Sequence, residues 1–232
     1  MKKYFTLSFD DGVTQDRRLV QLLRKYGLKC TFNVNSGLLG KTGEIVFGDG
    51  KSVSHNKITA EELPALYEGF EVAAHTRTHP MLTGCSVRRI LEEVIGDLVR
   101  LGELTGYAVR GMAYPGAHPN YDRLVTETVR EYTDIRYART IVSSYDFGFP
   151  EDFMVWNPTA HILDEKTEAL IERFAQEQGD CLLYLWGHSY ELDREDGWTR
   201  VEKIFDSLAR LADAQSMTNM QVYESVCQGE GK

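Results

Sequence analysis

The sequence lacks any apolar run long enough to cross a bilayer, and it lacks an excess of basic side chains. Its 232 residues include 35 acidic and 26 basic side chains, which gives a formal net charge of −9. A transmembrane helix needs about 20 apolar residues, and a chain this acidic repels nucleic-acid backbones and anionic membrane surfaces. We therefore expect neither a nucleic acid nor a membrane as a partner. The sequence indicates no particular oligomeric state.

Cysteine is scarce, and its spacing is not that of a metal knuckle. The four thiols form no CxxC pair and lie mostly in apolar runs, at Cys30, Cys85, Cys181 and Cys227. We expect buried free thiols, with disulfides as the alternative. The start of the chain, MKKYFTLSFDD, has an apolar run too short for a signal peptide. The expected location is the cytoplasm.

A glycine-rich phosphate-binding fingerprint is also missing after the first strand, which disfavours a dinucleotide-binding fold. Instead, short apolar strands alternate with amphipathic helices. The predicted strands are YFTLSF, KCTFNVN, FEVAAH, GMAYP, DIRYAR and CLLYLWGH, with MQVYE as a closing strand. The predicted helices cover residues 16–26, 59–69, 86–104, 121–132, 165–178 and 199–214, and residues 37–50 are expected to form a loop or an irregular hairpin. This alternation predicts one α/β domain over residues 1–232, with a parallel sheet closed or nearly closed into a barrel.

Acidic and imidazole side chains follow three of the predicted strands at the point where each strand ends. Asp10 and Asp11 end the first strand, His75 and His79 follow the third in HTRTHP, and His188 ends a late strand in LWGH. The carboxyl ends of parallel strands open on one face of an α/β barrel, where active sites are built. We therefore expect these five side chains to meet at that face.

Each of these patterns also has an ordinary structural explanation. An acidic pair before glycine is typical of a turn, and two histidines four residues apart are a weak metal motif by themselves. A lone histidine after an apolar strand is commonly a hydrogen-bonded boundary residue. Taken together, however, one carboxylate and two imidazoles make a three-ligand metal site. One carboxylate and one histidine remain, and they are the base and the acid that metal-assisted hydrolysis needs.

The motifs SFDDG, HTRTH and LWGH resemble, in order and spacing, those of the polysaccharide deacetylase family, the NodB-homology carbohydrate esterases of family 4. The resemblance spans most of the chain and implies a distorted (β/α)7 barrel. It implies that Asp10 is the general base and His188 the general acid. It further implies that Asp11, His75 and His79 bind one divalent metal ion, zinc first, with Co²⁺, Ni²⁺ or Mn²⁺ as alternatives.

The implied activity is the removal of N-acetyl groups from an amino sugar in an oligosaccharide or glycan, so an N-acetylated carbohydrate is the expected partner. One alternative is hydrolysis of another small C–N substrate, such as an acetylated amine or a cyclic imide. A second alternative is a carbohydrate-binding module that has the fold without the catalysis.

The chain departs from the family where an RPPYG motif is expected. The corresponding stretch is RGMAYPGAHPN, and Ala113 stands in the place of the arginine that orients the base. Arg139 is the candidate replacement, with a solvated arginine as the alternative, and the loop after Tyr114 is expected to supply an N–H to the oxyanion. The family's Asp–Trp motif is not plain here. Trp156, in MVWNPT, is the candidate aromatic wall, with a core position as the alternative, and His161 near it has no assigned role. Tyr114, Arg139 and Trp156 are thus the residues expected at the substrate site.

Overall fold

The computed structural model describes residues 1–227, and its centre is a curled sheet of parallel strands. The strands are β1 (Lys3–Asp10), β2 (Thr31–Val34), β3 (Glu44–Val46), β4 (Ser52–Ser54), β5 (Glu71–Ala74), β6 (Gly111–Ala113), β7 (Tyr137–Arg139), β8 (Ala160–His161), β9 (Cys181–Gly187) and β10 (Gln215–Met217). The main sheet has the order β7-β6-β5-β2-β1-β9-β8, and β10 pairs with the start of β1. Residues 228–232 of the predicted domain lie outside the described part.

Helices connect most consecutive strands, as the alternation predicts. They are α1 (Asp16–Tyr26), α2 (Leu63–Leu66), α3 (Val87–Thr105), α4 (Arg123–Tyr132), α5 (Thr167–Gln176), α6 (Gly197–Ala209) and α7 (Asn219–Cys227). α1 has the predicted bounds, and Gly27 ends it with a left-handed φ of 65° while its N–H caps the last carbonyls. α2 is reduced to a single turn.

The curled sheet is nearly closed into a barrel. The gap between β7 and β9 is spanned by the segment before β8. Within it, the Trp156 N–H donates to the carbonyl of Ala138 at 3.0 Å, and the Thr159 N–H donates to the carbonyl of Tyr184 at 2.8 Å. The expected single-domain, distorted α/β barrel is therefore confirmed.

Alternation along the strands decides which side chains enter the barrel. In β1, Phe5, Leu7 and Phe9 belong to the large core between the sheet and the helices. The residues between them face inward, where the Ser8 hydroxyl hydrogen-bonds that of Tyr184, on the neighbouring strand β9, at 3.0 Å. The same period places Asp10 on the inner face, at the carboxyl end of β1.

The predicted irregular hairpin is present and reaches the end of β1. β3 and β4 pair antiparallel, and the chain after β4 then runs beside the residues that follow β1. The Thr14 N–H donates to the carbonyl of Asn56 at 2.8 Å, and the Ile58 N–H donates to that of Gly12 at 3.0 Å. The hairpin therefore delivers residues 55–58 to the mouth of the barrel.

The closing strand predicted at MQVYE is wrong, because these residues lie in α7 and the closing strand is β10. Thr218 and Gln221 form a reciprocal capping box. The Gln221 N–H donates to Thr218 Oγ1 at 3.3 Å, and the Thr218 N–H donates to Gln221 Oε1 at 3.0 Å. α7 then buries Val222 completely against the inner aromatic cluster, so a five-residue apolar pattern that also fits a strand is helical here.

The four cysteines are free, as expected. Cys30 and Cys181 are buried, Cys85 is half-buried and Cys227 is exposed, so burial is confirmed for two of them. Within residues 1–227, no helix combines the length and the apolarity that crossing a membrane requires.

Replacing Thr218 with alanine should lower the free energy of unfolding by about 1 kcal/mol, because the first turn of α7 loses its side-chain cap. Urea denaturation monitored by circular dichroism measures this change. Glu224→Ala is the matched control, since Glu224 is exposed in the same helix. Equal stability of the two variants would contradict the capping role.

Candidate active site

Three strand ends supply acidic and imidazole side chains to one cavity of about 520 Å³ at the carboxyl face of the barrel. Asp10 is the last residue of β1, His75 follows β5, and His188 follows β9. The walls are lined by residues from the β3–β4 hairpin and from the loops after the strands, among them Leu38, Ile45, His55, Lys57, Thr78, Tyr114, Gly116, Ile141, Trp186 and Tyr190. The structure thus brings the predicted acids and histidines together.

Asp10 is buried, with 2% of its surface exposed, and both of its oxygens are occupied. Oδ1 accepts a hydrogen bond from Asn33 Nδ2 at 2.8 Å, and Oδ2 pairs with the Arg139 guanidinium. Burial alone would raise the pKa of this carboxyl, but Arg139, His75 and His188 outweigh burial and lower it. Asp10 is therefore a fixed carboxylate at neutral pH.

Asp11 has a left-handed backbone with φ of 84°, which is costly for a residue other than glycine. Hydrogen bonds to both polar groups of its backbone hold this conformation. The Asp11 N–H donates to the Asn33 carbonyl at 2.8 Å, and the Asp11 carbonyl accepts from Lys57 Nζ at 2.8 Å. Its carboxylate lies 3.1 Å from His55 Nε2 and 3.3 Å from Lys57 Nζ. Burial raises its pKa, but His55 and Lys57 more than offset burial and place the pKa well below the usual range.

His75 has a fixed tautomer that suits a metal ligand. Its Nδ1 lies 2.9 Å from the Ala113 carbonyl, which can only accept, so Nδ1 carries the proton and Nε2 keeps its lone pair. Burial lowers the pKa of His75 to about 4 and also lowers the pKa of His79, so both rings are neutral at pH 7. His79 has φ of 61°, so the two rings are brought together by an irregular turn and not by a helix.

The donor atoms of Asp11, His75 and His79 all lie within 4.8 Å of one another. One carboxylate and two neutral imidazoles are a donor set that zinc and similar divalent ions bind, with positions left for water and substrate. The set and the tautomer of His75 therefore fit a divalent metal ion.

His188 lies opposite this group, with its Nε2 4.0 Å from Asp10 Oδ2. Its Nδ1 lies 3.3 Å from a carboxylate oxygen of Glu191, which also accepts the backbone N–H of His188 at 3.3 Å. Burial alone would lower the pKa of His188, but Glu191, Asp11 and Asp10 raise it to about 9. His188 is therefore protonated at neutral pH in the absence of a metal ion.

The structure places the three residues expected at the substrate site differently. Arg139 is fully buried and binds Asp10, so it faces the carboxylate and not solvent. The Tyr114 ring lines the cavity, but its hydroxyl donates to the Met154 carbonyl at 3.0 Å and its N–H donates to Arg139. Both Tyr114 donors are thus already in use.

Trp156 is not an aromatic wall, which corrects the expectation. It is 1% exposed and packs inside the barrel against Tyr184, with ring centroids 4.8 Å apart. The tryptophan at the cavity is Trp186, whose ring lies 4.2 Å from the Arg139 guanidinium. Trp186 is an inward residue of β9. The alternation of inward and outward residues along this strand is therefore the sequence pattern that could have identified it.

A family model described as "Polysaccharide deacetylase" matches residues 1–136, and the chain belongs to this family. Its fold is similar to the Xyl-CE4 domain of a multidomain xylanase from the hindgut metagenome of Trinervitermes trinervoides, with TM-score 0.62 and 16% identity over 98% of this chain and 92% of that one. It is also similar to the peptidoglycan deacetylase PdaC from Bacillus subtilis, with TM-score 0.60 and 20% identity over 99% and 94% of the chains. No curated protein sequence matches the chain.

A family 4 acetyl xylan esterase from Clostridium thermocellum, in complex with a cobalt ion, is likewise similar in fold. Its TM-score is 0.59 and its identity 16%, over 97% of this chain and 91% of that one. At these identities the three structures support the fold alone.

Replacing Arg139 with methionine should lower the free energy of unfolding by about 3–5 kcal/mol near pH 7, because the Asp10 carboxylate stays buried without its cation. Asp10 has a lowered pKa in the folded state, so its pairing stabilises the fold above its unfolded pKa and is lost as the pH falls through the folded value. The deficit should therefore shrink in acid. Denaturant titration of chelator-treated protein from pH 7 down to about pH 2, below the unfolded pKa of an aspartate, measures it.

Arg130→Met is the matched control for this measurement, since Arg130 pairs with Asp152 at 2.7 Å but both side chains are exposed. Its loss should stay within about 1 kcal/mol at every pH. Equal losses in the two variants, or a deficit for Arg139→Met that does not change with pH, would show that Arg139 does not compensate Asp10.

Proposed function

We propose that this protein is a metal-dependent hydrolase that removes N-acetyl groups from an amino sugar in an oligosaccharide or glycan. One observation carries the proposal: a donor set for a divalent ion and a separate carboxylate–imidazole pair face the same cavity. The two halves of the pair, Asp10 Oδ2 and His188 Nε2, are 4.0 Å apart. Binding a sugar would require neither the donor set nor the pair.

Asp11, His75 and His79 would hold the metal ion, which supplies polarisation of the acetyl carbonyl and a water of lowered pKa when bound. Zinc is the first choice for this donor set, with Co²⁺, Ni²⁺ or Mn²⁺ as alternatives. Lys57 and His55 hold the Asp11 carboxylate from the side of the hairpin. The Asp11 carboxylate, as a proposed metal ligand, is therefore held in one orientation before any ion binds.

Asp10 is the proposed general base, because it is charged at neutral pH and its orientation is fixed by Asn33 and Arg139. It takes a proton from the attacking water. Arg139 thereby serves as the arginine that orients the base, supplied from β7 in place of the strand that carries Ala113. An N–H in the loop after Tyr114, where Gly116 lines the cavity, is the proposed further donor to the oxyanion.

His188 is the proposed general acid. Its Nδ1 faces Glu191 while its Nε2 faces Asp10 and the cavity, so the Nε2 proton is the one available to substrate. This proton goes to the amine nitrogen as the C–N bond breaks. The products are then acetate and the free amino sugar.

Purified protein should carry about one divalent ion per chain, and His79→Ala and Asp11→Asn should lose it. Asp10→Asn should keep the ion and lose about 10²–10⁴-fold in activity, because a base is removed without a ligand. Elemental analysis and acetate release from a panel of N-acetylated sugars measure both. His118→Ala is the control, since His118 is exposed.

Full metal occupancy in His79→Ala and Asp11→Asn would remove these residues as ligands. Bound metal with no acetate released from any N-acetylated sugar or small amide would favour a binding module.

His188→Ala should leave folding and metal content intact and lower kcat on an acetamide, because protonation of the leaving nitrogen matters chiefly in the transition state. The loss should be much smaller on an activated ester, whose leaving group barely needs a proton. In the wild type, kcat on the acetamide should fall as the pH rises through the pKa of His188, and the variant should lack that limb. Equal losses on amide and ester would mean that His188 positions substrate.

A further inference from the structure

A chain of three polar side chains runs from the cavity to the far side of β9. His188 contacts Glu191, and Glu191 contacts His161 of β8, whose Nε2 lies 2.9 Å from Glu191 Oε2. His161 and Glu191 also line a second cavity of about 340 Å³. The proposed mechanism uses His188 at one end of this chain and leaves His161 without a role.

Donor atoms of His161, His188 and Glu191 lie within 4.8 Å of one another, which is also the spacing of a metal site. The tautomer of His161 excludes that use. Its Nδ1 accepts the Leu163 N–H at 3.2 Å, so the neutral ring carries its proton on Nε2. A protonated nitrogen cannot be a ligand, whereas it can donate to Glu191.

Glu191 is thus held by donors on both sides. Its Oε2 is near His161 Nε2, near His188 Nδ1, and accepts the His188 backbone N–H. Burial raises the pKa of Glu191, but the two histidines outweigh burial and lower it strongly. A carboxylate on a long side chain needs such contacts to stay in one rotamer.

Local packing fixes His161 itself. The Trp186 ring packs edge-on against it, with centroids 4.9 Å apart, and the Thr167 hydroxyl donates to its carbonyl at 2.9 Å. A Cβ atom at position 187 would lie 2.7 Å from Ile162 and 3.3 Å from His161 Nε2. The glycine of the LWGH motif therefore leaves the space in which His161 approaches Glu191.

We propose that His161 is a positioning residue, which donates from Nε2 to Glu191 and so holds that carboxylate against Nδ1 of His188. The His188 ring is then fixed with Nε2 toward Asp10 and the substrate. This inference rests on the proposed function, because it assigns the support of the proposed general acid. His161 itself touches neither substrate nor metal ligands.

Charged and titratable groups around this chain bear on its pH dependence. Those acting on His188 are Glu191, Asp10 and Asp11, with the Tyr190 ring 4.9 Å away. Those near His161 are Glu191 and Asp164, and the second cavity adds Arg194, Glu195, Asp196 and Arg200. The experiment therefore compares variants over a full pH profile and follows His188 directly.

Two variants of the metal-loaded protein test the inference. His161→Leu removes the donor to Glu191, whereas His161→Gln restores it, because its amide can donate to Glu191 and accept from Leu163. We expect kcat on the acetamide to fall about tenfold in His161→Leu, since misplacing a catalytic group is costly, with KM and metal content unchanged. His161→Gln should stay within about threefold of wild type, and an activated ester should be little affected by either change.

NMR titration of His188 supplies a readout that does not depend on activity. Its midpoint should move to lower pH in His161→Leu and return toward the wild-type value in His161→Gln. A wild-type midpoint and kcat in His161→Leu, or equal impairment of both variants, would overturn the inference. If the wild type deacetylates nothing, the proposed function fails, and the titration still decides whether His161 supports His188.

Discussion

Two adjacent carboxylates end a buried strand, and the rest of the site depends on how their charge is compensated. Burial penalises each carboxylate, and neighbouring carboxylates repel each other. Asp10 is compensated from inside the barrel by Arg139, and Asp11 from the hairpin side by Lys57. The left-handed backbone of Asp11 separates the two, so that each meets its own cation. That separation leaves Asp10, the proposed base, free of the metal-donor set, while Asp11 faces the histidines.

The sequence predicts the part of the site that strand geometry controls. Parallel strands bring their carboxyl ends to one face, and alternation decides which residues face inward. Asp10, His75 and His188 satisfy both conditions, and so does Arg139, the last residue of β7. Arg139 could therefore be selected as the replacement for an arginine that the family carries on another strand.

The residues that sequence reasoning missed reach the site by other means. Lys57 arrives on a hairpin without a clear apolar period, and Glu191 lies in a short turn three residues after His188. Neither position follows from a regular repeat, because both depend on where a loop folds back. The family's Asp–Trp motif makes Trp156 a candidate wall, but a tryptophan in the sequence fits a cavity wall and the core equally well, and Trp156 lies in the core. The sequence of α7 also fits a strand, because a segment of five residues is too short for its apolar spacing to distinguish a helix from a strand.

The protonation of His188 depends on Glu191, and a bound metal ion would increase that dependence. Without an ion, the negative charges of Asp10, Asp11 and Glu191 are balanced by the positive charges of three side chains. These are Arg139, Lys57 and protonated His188. A divalent ion at Asp11, His75 and His79 would add positive charge and lower the pKa of His188, whereas Glu191 raises it. A general acid works best with a pKa near the working pH. Glu191 therefore opposes the effect of such an ion on the pKa of His188. Without that carboxylate, the ion would favour the neutral form of His188, which lacks the proton that the proposed general acid donates.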